Sequence, residues 1–343
     1  MQIEDYPALL ASLDHPTLLL GNGFSIACDR RYGYQALKKN VKLPSISKDL
    51  LERLGTPNIE QAMQILEDTL WVAEKMKCRP CRQLKKDYSD TRHAMAKAIA
   101  KDHLKTPNDI DADQSGRCQA AGNFLRAYRR IFTTNYDLLL YWILMREMTS
   151  KEDTRLRLDG MPRDEGKDFG WFDAAREINV LYLHGALHIY AHGDETRKLI
   201  RKKDQSLVEM IDEIFKKGDE PLFVAAGRAE QKLRAIEDNA YLKYCFDEFS
   251  NIEGDLVIYG LSLGVSDAHL VDAMATNKDL RSVSLGLYGD PDSASNLTLR
   301  AVARRLQDTA DKTLKIRFFD SKSAAVWDPV PPPAPAPSLG SSP

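Results

Sequence analysis

The sequence predicts an α/β fold: a doubly wound, mostly parallel sheet with a helical insertion between its first two core strands. Three observations carry this expectation. Short apolar runs alternate with helical patterns along most of the chain. Several of those runs stop at a glycine or a polar cluster, as buried parallel strands do where they hand the chain to a helix. The stretch between the first two runs is too long and too helical for a simple crossover.

Taken in order, residues 1–16 read as an amphipathic lead-in, with Leu9, Leu10 and Leu13 at helical spacing. Residues 17–20 are the first core strand, which stops at Gly21-Asn22-Gly23-Phe24-Ser25. Residues 30–56 read as loop and short helix. From Asn58 to Lys77, Ala62, Ile65, Leu66, Leu70 and Val72 recur at three and four, which predicts a helix with its large residues in the core. Pro80 breaks that pattern, and further helices are expected over 82–104 and 117–128. The block 58–128 is the expected insertion or cap.

A second strand ends near Phe132 and turns through Thr133-Thr134-Asn135-Tyr136-Asp137 into an apolar helix. A polar loop at 150–170 leads to a strand over 179–183, which ends at His184-Gly185. A charged helix over 204–217, the apolar run 222–224 and a helix over 229–249 follow. Strand 255–260 ends at Gly260-Leu261-Ser262. Helix 266–276, strand 282–288, helix 297–308 and strand 314–319 complete six core strands. The expected domain is 1–326. Residues 327–343, from Trp327 through a proline-rich run, form an expected disordered or polyproline-like tail.

Composition excludes several classes. In 343 residues, 48 basic and 50 acidic side chains leave a formal net charge of -2, which argues against a dedicated nucleic-acid binder. No apolar run approaches the roughly 20 residues that span a bilayer. The first residues carry neither the basic nor the apolar segment of a secretory signal. Five cysteines without a framework read as reduced thiols, so the expected location is cytoplasmic. Cys78 and Cys81 make a single Cys-x-x-Cys pair, Cys118 and Cys245 stand alone, and no metal is expected.

The strand ends carry the chemistry. In an open parallel sheet the carboxyl ends of the strands share one edge, and ligands bind there. Four distant segments therefore bring Gly, Ser, Asn, Asp and His to one crevice. The corner at Gly21 and Gly23 is of the kind that lets backbone N–H groups approach a phosphate. It is not the hydride-carrier fingerprint, because Ile26 stands where a third glycine belongs, and no Walker lysine follows. Other residues have plainer readings. Asp267 reads first as a helix N-cap acid, with a nucleotide role second. His188 and His192 read as polar surface, and His269 as either crevice or solvent. Arg197, Lys198, Arg201, Lys202 and Lys203 read as a solvated basic face.

In that order, Gly-x-Gly-x-Ser, Thr-Thr-Asn-Tyr-Asp and Leu-His-Gly resemble the motifs of the sirtuin-like NAD-consuming family. The chain looks most like its bacterial branches, several of which are anti-phage NADase effectors. The resemblance implies a Rossmann-like, sirtuin-type fold and NAD as substrate. It implies that Gly21, Asn22, Gly23, Phe24, Ser25 and Thr134 contact the nucleotide, with Gly260, Ser262 and Asp267 from the later strand end. It implies catalytic roles for Asn135 on the nicotinamide-side ribose and attacking water, for His184 as general base, and for Asp137 in support. Asn22 departs from the small residue usual there. The substrate loop of protein deacylases is missing, and so is their zinc module. Hydrolysis of NAD to nicotinamide and ADP-ribose is therefore expected, and protein deacylation is disfavoured. Cleavage passes through an oxocarbenium-like species and needs orientation, exclusion of water and one base. The alternative is a catalytically silent NAD or ADP-ribose sensor, and a third reading is transfer of ADP-ribose to a macromolecule. A homo-oligomer or partner protein is the expected control. No membrane or nucleic-acid partner is expected.

Overall fold

The computed structural model describes residues 2–77, 81–112, 115–151, 153, 156, 158–161, 178–199, 206–224, 227–310 and 313–329. The chain opens with β1 (Ile3–Glu4) and α1 (Tyr6–Ala11), which buries Tyr6 and Leu9. All four residues of β2 (Thr17–Leu20) are buried, as a central strand covered on both faces requires. The insertion then runs through α2 (Gly23–Cys28), α3 (Tyr34–Asn40), α4 (Ser45–Leu54), α5 (Ile59–Lys75), α6 (Cys81–Asp102) and α7 (Arg117–Arg126). The Asn58 side chain caps α5 by accepting from the Glu60 N–H. The stripe Ile59, Ala62, Met63 and Leu66 packs that helix into the core.

The chain returns to the sheet at β3 (Arg130–Thr133) and leaves it through α8 (Leu139–Glu147). The remaining elements are β4 (Val180–Tyr182), β5 (Gly185–His192), β6 (Glu195–Lys198), α9 (Leu207–Lys217), β7 (Glu220–Phe223), α10 (Ala229–Glu237), α11 (Ala240–Ser250), β8 (Gly254–Tyr259), α12 (Ala268–Thr276), β9 (Leu280–Leu287), α13 (Ala294–Thr309) and β10 (Lys315–Asp320).

Seven strands form an all-parallel sheet in the order β1-β10-β9-β8-β2-β3-β4, flanked by helices. The expected doubly wound α/β class holds. β2 lies between β3 and β8, so successive connections leave it in opposite directions. That is a topological switch point, where the strand ends diverge and open a crevice. A second, antiparallel sheet of order β6-β5-β7 sits beyond β4. The Val224 N–H on the His184 carbonyl extends its β5–β7 pairing, and the Leu187 N–H on the Tyr136 carbonyl ties it to the turn after β3.

Five features differ from the sequence reading. Trp71, Val72 and Met76, expected in the core along the helix 58–77, are exposed, because the buried stripe of α5 runs through Ile59, Ala62, Met63 and Leu66. The seventh parallel strand, β1, has two residues, too few to show a period. The antiparallel sheet was foreshadowed only by the run at 222–224. The helix expected over 229–249 is two helices, because Asn239 caps a new start by accepting from the Tyr241 and Leu242 N–H groups. Trp327, expected in the tail, is 6% exposed and belongs to the fold. Its Nε1–H donates to the Phe24 carbonyl at 2.8 Å, and the two rings meet at 4.9 Å. The rest of the expected tail, 330–343, lies outside the described residues, as do most of the loop at 150–170, Cys78, and the Cys81 side chain. No helix among the described residues is long and apolar enough to cross a membrane.

Candidate functional site

A cavity of about 470 Å³ opens at the switch point. One wall is the sheet edge: Asn22, Thr134, Asn135, Asp137, His184, Gly260, Ser262 and Asp267 all border it. The facing wall comes from the insertion, with Tyr34, Glu60 and Gln64 among its polar groups. That volume falls within the range typical of small-molecule sites.

The corner after β2 is held by the chain itself. The Gly21 N–H donates to the Tyr259 carbonyl and the Gly23 N–H to the Gly260 carbonyl, at 2.9 and 2.7 Å. A Cβ on Gly23 would stand 2.6 Å from the Gly260 Cα, and one on Gly21 would stand 2.5 Å from the Leu261 Cβ. These glycines let two strand ends touch, and in this conformation neither N–H is free for a phosphate. Gly21, Gly23, Phe24 and Ser25 do not border the cavity, whereas Asn22 does. Asn22 Nδ2 donates to the Tyr32 carbonyl, so that side chain is anchored rather than loose.

Behind the sheet wall runs a relay. Asn135 Nδ2 donates to Ser25 Oγ at 3.1 Å, and the Ser25 hydroxyl donates to Asp137 Oδ2 at 2.6 Å. Asp137 Oδ1 accepts from the Leu139 N–H and so also anchors the start of α8. Burial raises the Asp137 pKa, and the bonds from Ser25 and Leu139 oppose that rise. The relay fixes the Asn135 amide and leaves its Oδ1 buried without a hydrogen-bond partner. An orphaned acceptor costs roughly 1–3 kcal/mol when nothing donates to it. Here it belongs to a residue on the cavity wall.

His184 is 2% exposed and lies 3.1 Å, Nε2 to Nε2, from His269. Only one of those two nitrogens can carry the proton between them. Burial pushes the His184 pKa well below the ordinary range, and the charge of Lys232 and the neighbouring His269 push the same way. His269, which the sequence left open, is buried and pushed down to about 4, again chiefly by burial. Both rings are neutral at physiological pH.

Asp267 does not cap α12 with its side chain. It accepts from Lys232 Nζ at 3.2 Å, and Lys232 is only 3% exposed. His188, expected at the surface, is fully buried against Tyr141 and Tyr182. His192 is exposed, as expected, and pairs with Asp219. The basic face is split: Arg197 pairs with Glu195, while Lys198 is drawn inward by a 2.6 Å bond to Asp159. Residues 201–203 lie outside the described residues. Among the described residues no group of three or more His, Cys, Asp or Glu side chains could hold a metal.

Sequence reading missed Lys232, Glu60 and His103. Lys232 shares a helix face with Ala229 and Ile236, and a lysine on an apolar stripe was a readable signal. Glu60 looks like an ordinary first-turn acid that complements the helix dipole, so nothing marks it. His103, at the end of α6, accepts from the Leu138 N–H at 2.8 Å through Nε2 and donates through Nδ1 to the Leu104 carbonyl. That bond network assigns its tautomer and pins the Asn135–Asp137 turn to the insertion.

No curated protein matches the chain. A family model described as a domain of unknown function (DUF4917) matches residues 18–327, which spans both walls of the cavity. The chain belongs to the DUF4917 family.

Proposed function

We propose that this chain is an NAD+ hydrolase that cleaves the nicotinamide–ribose bond and delivers the ribosyl carbon to water. The observation that supports it best is Asn135 Oδ1, a buried acceptor left without a hydrogen-bond partner in a residue that borders the switch-point cavity. A ribose hydroxyl or the attacking water would donate to it. The relay through Ser25 and Asp137 fixes the amide before substrate arrives, so orientation costs little at the moment of reaction. The resemblance of the three strand-end motifs to sirtuin-like enzymes points the same way. Nicotinamide leaves as a neutral ring, so no strong acid is needed. Control by self-association or a partner protein, and service as a cytoplasmic defence effector, belong to the same proposal.

One observation favours the catalytically silent sensor of NAD or ADP-ribose instead. His184 is spent on His269 and held neutral, which weakens it as a base. The test is nicotinamide release from NAD by the purified chain, repeated with Asn135→Ala and His184→Ala. The hydrolase reading expects Asn135→Ala to lower kcat by about 10²-fold or more. Undiminished release by both variants removes this site assignment. Saturable NAD binding without nicotinamide release selects the sensor.

A further inference from the structure

The insertion places a carboxyl group in the same cavity that Asn135 borders. Glu60 sits in the first turn of α5 and borders the cavity. Tyr34 Oη donates to its Oε1 at 3.1 Å, and its Oε2 lies 3.9 Å from Lys232 Nζ. Lys232 is closer to Asp267, at 3.2 Å. One ammonium therefore faces two carboxylates, and Asp267 takes most of its compensation. Glu60 is the surplus acid, and 14% of its side-chain surface remains accessible.

Resting on the hydrolase reading above, we propose that Glu60 is the proton acceptor for the attacking water. The water oxygen bonds to the anomeric carbon as the carbon–nitrogen bond to nicotinamide breaks. That bond's electron pair passes to the pyridinium nitrogen and neutralises it. One water proton moves to the Glu60 carboxylate and is then released to solvent, so each turnover yields nicotinamide, ADP-ribose and one proton. His184 is left with a positioning role, since as a neutral ring on the facing wall it helps hold the ribose.

Burial raises the Glu60 pKa to about 7. Lys232 opposes that rise, Asp267 adds to it, and bonds from Tyr34 and Tyr136 oppose it. Among the described residues those four are the titratable groups facing Glu60, from α10, the turn before α12, α3 and the turn after β3. A base poised near the working pH combines a useful ionised fraction with useful driving force, and neither neutral histidine of the pair meets that condition.

The test is the pH profile of nicotinamide release by the full chain, between about pH 5 and 9, for the native protein, Glu60→Gln and Tyr34→Phe, with thermal melts as the folding control. The native kcat is expected to rise with pH around 7. Glu60→Gln is expected to lower kcat by about 10²–10³-fold, to flatten that limb and to leave KM nearly unchanged. Tyr34→Phe removes a bond that favours the carboxylate, so it is expected to keep the plateau and shift the limb to higher pH. A folded Glu60→Gln protein with native kcat and an unmoved limb overturns the role of Glu60 alone. If Glu60→Gln does not fold, an unmoved limb in Tyr34→Phe overturns it. Native protein that releases no nicotinamide at any pH overturns the hydrolase reading, and this role with it.

Discussion

The two walls of the cavity are built on different physics. The sheet wall is held by fixed hydrogen bonds: its turn is fastened by the Ser25–Asp137 relay, and its glycines are packed against the Gly260–Leu261 backbone. The insertion wall brings a surplus carboxyl, and the seam between them carries a buried ammonium, Lys232. On the proposed function, one wall would orient the ligand and the other would exchange a proton. The contrast shows how a common sheet edge gains a titrating group without disturbing its own geometry: the acid comes from a helix on the far side.

The sharpest way to break that contrast is Lys232→Met. It leaves Glu60 and Asp267 facing each other without a cation, and a loss of about 3–5 kcal/mol is expected in urea unfolding near pH 7. A protein as stable as the native one would show that the seam carries little charge. A smaller effect of opposite sign is expected for Glu60→Gln. Between the ordinary carboxyl value of 4.5 and about 7, the unfolded chain gives up this proton while the folded chain keeps it. Native stability therefore falls as pH rises through that window, and the glutamine variant escapes the fall. It should gain stability on the order of 1–3 kcal/mol over the native chain at pH 8, with no gain below pH 4.5. An equal gain at every pH would place the effect in packing instead. The smallest expected change lies behind the sheet wall: Trp327→Phe keeps a ring against Phe24 and loses the bond to its carbonyl, at a cost of about 1 kcal/mol. Its unfolding curve should show no pH dependence beyond that of the native chain.

The same contrast explains what could be read in advance. β2, β3, β4, β8, β9 and β10 were legible because a buried parallel strand shows as an apolar run that ends abruptly. The sheet wall was legible because its polar groups sit at those ends, a position that topology fixes. The carboxyl at Glu60 and the ammonium at Lys232 were not, because each belongs to an amphipathic helix and becomes chemistry only when the other arrives. Asp267 was misread for the same reason: its partner lies on α10, and a short-range capping rule cannot see it. His188 looked like surface because its pockets, Tyr141 and Tyr182, come from other elements. Trp327 was hidden by the prolines that follow it, which make the local composition look unable to fold.

The Trp327–Phe24 contact joins positions 303 residues apart in the chain. A contact of that span has a high loop-closure entropy unless the intervening elements already hold its ends close together. The corner after β2 is thus synthesised well before the Trp327 that covers it. Until β10 has docked and carried Trp327 back over Phe24, one side of α2 lacks its cover, and the orienting wall is incomplete. Phe24 therefore waits for its cover until the chain has been extended through β10 to Trp327.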